Sequence, residues 1–258
     1  MRIFAFFNQK GGVAKTTSTV NVASFLAQDG YKVLVIDADA QGNSSNYLSC
    51  SNGKTIVDYI KGEIDGECRI EEIISSAMIE TKGGTKPKKV GIDVISSDRS
   101  LYGYDLNVDF FKSMINPIKD RYDYIIFDCP PALNSVTLAV MCVVEKVFIP
   151  ISVDIDSMSG YQEILTTIEN INDAGYNNVS VGGAFLTSLV PSGAYDKYII
   201  ETAKEAFGDD LLNTYIRRCT DVKASRHFCR PLAWFKTSGN ASKDYRALTD
   251  EIKNKLNA

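Results

Sequence analysis

Several absences narrow the class of this chain before any motif is read. None of its six cysteines (Cys50, Cys68, Cys129, Cys142, Cys219, Cys229) forms a C-x-x-C pair. That argues against a zinc ribbon or a disulfide framework and suits the reduced thiols of a cytoplasmic protein. No apolar run is long enough to span a bilayer, and the first strand-like segment begins at residue 2. Neither a signal peptide nor an N-terminal helix-turn-helix extension is therefore expected. The net charge of -4 excludes a generally polycationic nucleic-acid binder, while leaving room for a local basic face. There is no repeat, low-complexity tract or interdomain linker, so residues 1–258 are expected to form one domain.

What is present is a recurrence of apolar, β-rich runs: 2–7, 32–37, 90–95, 123–128, 146–150, 179–186 and 211–216. Helices are expected between them, near 16–29, 55–61, 99–119, 134–142, 157–173, 196–207 and 241–257. Near-continuous Val/Ile/Leu/Phe strands alternating with helices predict an α/β fold: a single doubly wound, mostly parallel sheet with helices on both faces. The stretch 81–89, TKGGTKPKK, reads as a polar turn with solvated lysines.

The densest signal is NQKGGVAKTTS at 8–18. A strict G-x-x-x-x-G-K-[ST] pattern fails, because positions 9 and 14 hold Gln9 and Ala14 instead of glycine. What survives is K-G-G-x-x-K-T from Lys10. Adjacent Gly11 and Gly12 let the backbone turn with its N–H groups inward, which cradles an anion. Lys15 then reaches outer phosphates as a point charge, and the Thr16 hydroxyl can ligate Mg²⁺. The loop sits between a buried strand and an amphipathic helix, so the helix dipole lies behind the anion. A methyl at position 14 is tolerable if that residue keeps helical backbone angles.

Ligands of open parallel sheets bind at the carboxyl ends of strands, and two acidic clusters fall there. In VLVIDADAQGN (33–43) Asp37 and Asp39 follow the second strand, and in YDYIIFDCPP (122–131) an apolar strand ends in Asp128 before two prolines stop it. A carboxylate so placed is suited to hold a water on Mg²⁺.

KGGVAKTT, DADAQGN and IIFDCPP together resemble the ParA-type partition ATPases, a class with a deviant phosphate loop that also includes MinD and the nitrogenase iron protein. The likeness runs over essentially the whole chain, including PISVDIDSMSG at 150–160. The resemblance implies an ATP hydrolase in which ATP and Mg²⁺ drive a face-to-face homodimer. It implies nucleotide contacts from Lys10, Gly11, Gly12, Val13, Ala14, Lys15, Thr16 and Thr17, with Lys10 reaching the partner's nucleotide. Asp39 matches the carboxylate that positions the attacking water, and Thr16, Asp37 and Asp128 match the metal side. For Asp154 two readings stay open, an approach to the dimer seam and plain solvent exposure. Departures are Ala14 for glycine and Ala40 for proline; slow hydrolysis is expected.

Between Arg217 and Arg246 eight Lys/Arg face two Asp. In an acidic chain this local excess suits phosphate backbones without sequence readout. The resemblance implies non-specific duplex-DNA binding by the ATP dimer, through Arg217, Arg218, Lys223, Arg226 and Arg230. A ParB-like, DNA-bound partner protein then stimulates hydrolysis and release, giving a nucleoid-associated cytoplasmic protein. The alternative is a MinD-like membrane-cycling ATPase, but SKDYRALTDEIKNKLNA at the C-terminus lacks Phe or Trp for insertion, so no membrane partner is expected. An iron–sulfur carrier of the same class would need a second cysteine to match Cys129.

Overall fold

The computed structural model describes residues 1–49, 53–65, 68–79, 88–152, 160–191 and 193–257. Cys50, Asp154, residues 81–87 of the lysine-rich turn and the start of the helix expected at 157–173 lie outside them. Eight strands form one sheet: β1 Arg2–Phe6, β2 Val33–Asp37, β3 Ile74–Ile79, β4 Lys88–Ile95, β5 Tyr124–Asp128, β6 Lys146–Ser152, β7 Ser180–Leu189 and β8 Ile216–Arg217. The helices are α1 Lys15–Gln28, α2 Asn43–Tyr47, α3 Ile56–Asp65, α4 Ile70–Ile73, α5 Val108–Ile115, α6 Ser135–Met141, α7 Tyr161–Asp173, α8 Ala194–Phe207, α9 Thr220–His227, α10 Leu232–Phe235 and α11 Asn240–Asn257.

The strand order is β3-β4-β2-β5-β1-β6-β7-β8, parallel at every step except the antiparallel β3–β4 edge pair. The expected doubly wound α/β sheet is therefore present. Because side chains alternate across a strand, β1 feeds two cores. Ile3, Ala5 and Phe7 point into the layer beneath α3 to α8, and Phe4 and Phe6 into the layer that holds α1 and α11. In the second layer Phe4 meets Phe148 edge-on at 5.5 Å, and Phe6 meets Phe185 at 6.1 Å. Such pairs add about 0.5–1.5 kcal/mol to the burial of their area.

Tyr245, Leu248, Ile252 and Leu256 recur at helical spacing on α11 and are all buried against this layer. The C-terminal stripe thus docks on the body of the domain. Arg246 stacks over Phe25 at 4.6 Å, and both Arg246 and Lys253 pair with Asp29 just past the end of α1.

Two expected elements differ, and one strand is unexpected. The strand placed at 211–216 shrinks to Ile216–Arg217 plus one bridge at Leu211, because the N–H groups of Asn213 and Thr214 donate to the Glu251 carboxylate instead of a neighbouring strand. The helix placed at 99–119 is a 3₁₀ turn, Arg99–Gly103, followed by α5. Asp98 caps the first piece by accepting from the Ser100 N–H, and Asn107 caps the second by accepting from Phe110. Sequence periodicity also misses β3, where Ser75 and Ser76 break the apolar run.

Candidate active site

Strand register decides which carboxyl ends meet. Phe6, the last residue of β1, pairs with Asp128, and Asp128 pairs on its other side with Asp37. The loop leaving β1 and the acids ending β2 and β5 are thereby brought side by side, at the place where strand order reverses.

The loop is braced by Asn8, a residue that no sequence motif singles out. Its Oδ1 accepts from the Lys10 N–H at 2.9 Å, and its Nδ2 donates to the Pro150 carbonyl of β6 at 2.9 Å. Gly12 has φ +79°, which only glycine adopts without strain. The condition for an unstrained alanine at 14, helical backbone angles, is not met: φ is 78° and ψ 25°, the left-handed region, immediately before α1. The N-terminus of α1 has no side-chain cap there, so its first N–H groups remain directed out of the helix end. The backbone at this position is one that glycine suits, and alanine occupies it at a cost in strain.

Lys15 is buried, and its Nζ donates to the Asn8 and Lys10 carbonyls at 2.8 and 3.0 Å. Burial lowers its pKa, opposed by the charges of Asp128 and Asp39. Lys10 is half-buried at the outer turn of the loop, and Thr16 and Thr17 are half-buried at the helix start. The Thr19 hydroxyl, one turn below, lies 3.5 Å from Asp128 Oδ1.

The acids are held differently from one another. Asp37 is fully buried, and its Oδ2 accepts from the Ser45 N–H at 2.9 Å and the Ser45 hydroxyl at 2.7 Å. Its Oδ1 accepts from the Asp39 N–H at 3.2 Å. This clamp needs the turn at Gly42, with φ 62°, where an added Cβ would lie 3.0 Å from the Ser97 carbonyl. Asp128 is also fully buried, yet its Oδ2 has no donor. Burial raises the pKa of both carboxyls, and the charge of Asp37 raises Asp128 further while the Thr16 hydroxyl opposes the rise. A buried carboxylate with an orphaned oxygen beside a second acid is a place where a hard cation fits. Among the described residues no cluster of three His, Cys, Asp or Glu side chains forms a metal cage. The donor set matches Mg²⁺, which takes one or two carboxylates and completes its shell with hydroxyl, phosphate and water.

Asp39 is buried at the mouth of the site, where its Oδ1 accepts from the Gln41 N–H at 3.0 Å. Next to the loop a cleft of about 370 Å³ opens beyond the ends of β7 and β8. Ala14, Ser188, Arg217, Arg218, Cys219 and Lys223 are among the residues that line it.

The five basic residues expected to act together are not equivalent. Arg217 grips Asp244 through Nη2 at 2.6 Å and Nε at 3.0 Å. Its side chain is one-third exposed, and its charge is paired with Asp244. Arg218 and Lys223 are exposed at the cleft. Exposed Arg226 donates to Asn43 Oδ1 at 2.9 Å. Arg230 lies away from the phosphate loop, against the far end of α1.

Residues 1–181 match the AAA_31 family, an AAA domain. The chain belongs to that family. Across its whole length it is 29% identical to the chromosome-partitioning ATPase Soj of Treponema pallidum, covering 97% of this chain and 96% of that protein. It is 27% identical to the chromosome partitioning protein ParA of Caulobacter vibrioides, covering 98% and 94%. The structure of apo McdA from Cyanothece superposes with a TM-score of 0.81 at 18% identity, over 99% of each chain. The AAA_31 match and these relatives bear out the ParA-type ATPase kinship that the deviant loop implied.

Proposed function

We propose that this chain is a Mg²⁺-dependent ATPase of DNA partition, acting as one ParA-like domain. The observation that carries the reading is the convergence of the two-lysine loop with Asp37, Asp39 and the half-satisfied Asp128 at one point of the sheet. The similarity to partitioning ATPases supplies the biological setting.

In this reading the N–H groups from Gly11 to Thr17 surround the nucleotide phosphates, Val13 and Ala14 included. Lys15 exchanges its loop carbonyls for the outer phosphates. Thr16, Asp37 and Asp128 hold Mg²⁺, which when bound neutralises phosphate charge. Asp39 orients the attacking water. Lys10 meets the nucleotide of a second subunit, a cation in trans where charge develops on the transferred phosphoryl.

The ATP-bound homodimer binds duplex DNA non-specifically, and a DNA-bound, ParB-like protein stimulates the slow hydrolysis that releases it. Arg218, Lys223 and Arg226 are the exposed cations suited to neutralise phosphates. A membrane-cycling role finds no support in α11, whose apolar stripe is buried, and no helix of the described residues is long and apolar enough to cross a membrane.

Duplex-DNA binding measured with ATP, with ADP and without nucleotide tests this reading. We expect retention with ATP alone. Lys15→Ala should weaken nucleotide binding roughly 10- to 100-fold, the worth of a charged hydrogen bond. Lys10→Ala should bind nucleotide normally and remain monomeric in sedimentation. DNA affinity indifferent to nucleotide, or equal loss of ATP binding in both variants, would overturn the assignment.

A further inference from the structure

At the end of α1 opposite the phosphate loop, about 21 Å away for a helix of 14 residues, lies a groove of about 710 Å³. Its floor is apolar: Ala27, Tyr31, Ile79, Val90 and Trp234. Its rim carries Lys32, Lys88, Lys89 and Arg230. None of these four cations makes a side-chain ion pair with a described residue, and the buried Nε of Arg230 has no acceptor. No carboxylate lines the groove among the described residues. Nearby Asp29 is already neutralised by Arg246 and Lys253. The walls are fixed in place: Gln28 donates to the Ala233 carbonyl, and Asn21 Oδ1 accepts from the Leu232 N–H, so α10 is pinned to α1.

We propose that this groove docks an acidic peptide segment of a partner protein, one that presents Asp or Glu around a bulky apolar side chain. Such a segment complements the groove in charge at the rim and in apolar character at the floor. Four such cations in an acidic chain give a local field that attracts and orients a carboxylate-bearing partner. The apolar floor, with its half-buried tyrosine and tryptophan, matches the anchor residues of peptide interfaces. A duplex uses cations on an open surface and gains nothing from an apolar floor, whereas a peptide uses floor and rim together. The groove shares no lining residue with the nucleotide site, and of the expected DNA-binding cations only Arg230 borders it. The proposal therefore stands or falls apart from the ATPase reading.

Trp234 is the only tryptophan of the chain, so its fluorescence reports occupancy of the groove directly. The full-length protein would be titrated with a short synthetic peptide of alternating Glu and Leu, with polyglutamate, and with duplex DNA. The Glu/Leu peptide should shift Trp234 emission saturably, with affinity falling as salt rises. The exposed triple variant Lys32→Gln, Lys88→Gln, Lys89→Gln should weaken that binding about tenfold or more while nucleotide binding is unchanged. Polyglutamate binding as tightly as the Glu/Leu peptide would remove the role of the floor and overturn the proposal. A Trp234 response to DNA but not to peptide would overturn it in favour of a nucleic-acid surface, and no response to any probe would refute it outright.

Discussion

Ala14→Gly is expected to stabilise the protein, although alanine-to-glycine changes normally do the reverse. Ala14 sits at φ 78°, ψ 25°. Holding a residue with a Cβ in the left-handed region costs about 1–2 kcal/mol. Glycine removes that strain but adds about 0.5–1 kcal/mol of unfolded-chain entropy. The balance is a gain of about 0.5–1 kcal/mol, or a rise in Tm of roughly 1–4 °C for a protein of this size. Ala23 is the control: it lies in the same helix, fully buried in right-handed geometry. Ala23→Gly loses about 1 kcal/mol of helix propensity and about 0.8 kcal/mol for the buried methyl. It should lower Tm by roughly 4–7 °C. Differential scanning calorimetry of both variants without nucleotide reads the two signs. If Ala14→Gly lowered Tm as much as Ala23→Gly, the strained loop geometry would be wrong.

The acid pair makes unliganded stability depend on pH in an unusual direction. The folded state raises the pKa of Asp37 and Asp128 above their unfolded values, so it holds protons that the unfolded chain has released. Stability should therefore fall as pH climbs from the ordinary carboxylate range near about 4 toward neutrality and beyond. Asp128→Asn should flatten this slope in thermal melts from mild acid to mild alkali, and an unchanged slope would count against the buried pair. Mg²⁺ with nucleotide should give its largest Tm gain at the alkaline end, where the pair is most strained without a cation. The C-terminal cations should separate by role. Arg217→Ala breaks the pair with Asp244 and should cost about 1–3 kcal/mol of stability in urea melts, yet leave the salt dependence of DNA binding unchanged. Arg218→Ala with Lys223→Ala should leave stability alone and reduce the slope of log affinity against log salt by about 1 for each phosphate no longer neutralised. A smaller slope with Arg217→Ala would refute that division.

Local chemistry in this chain is readable wherever one short segment carries the whole signal. The glycine pair, Lys15 and Thr16 lie within a few residues of one another. Asp37 and Asp128 end short apolar runs that alternate with helical stretches, the pattern of buried parallel strands. Features that depend on a second segment are not readable. Asn8 braces the loop through Pro150, and a single polar residue after a strand has no periodicity to announce it. Ser45 clamps Asp37 only because the turn at Gly42 folds α2 back over the end of β2.

The sharpest case is the pair Arg217 and Arg218, adjacent and chemically identical. As β8 closes on β7, both border the cleft, but Arg217 pairs with Asp244 of α11 while Arg218 stays exposed. Counting charges from 217 to 246 detects an excess of cations but cannot divide them. That division is a tertiary fact, set by a carboxylate 27 residues downstream. The same logic separates Arg230 from the rest. The turn after α9 and the docking of α10 carry it to the far end of α1, where its neighbours are Trp234 and the lysines of β4. One basic stretch of sequence thus serves an ion-paired brace, the border of the cleft beside the phosphate loop, and a groove at the opposite end of α1.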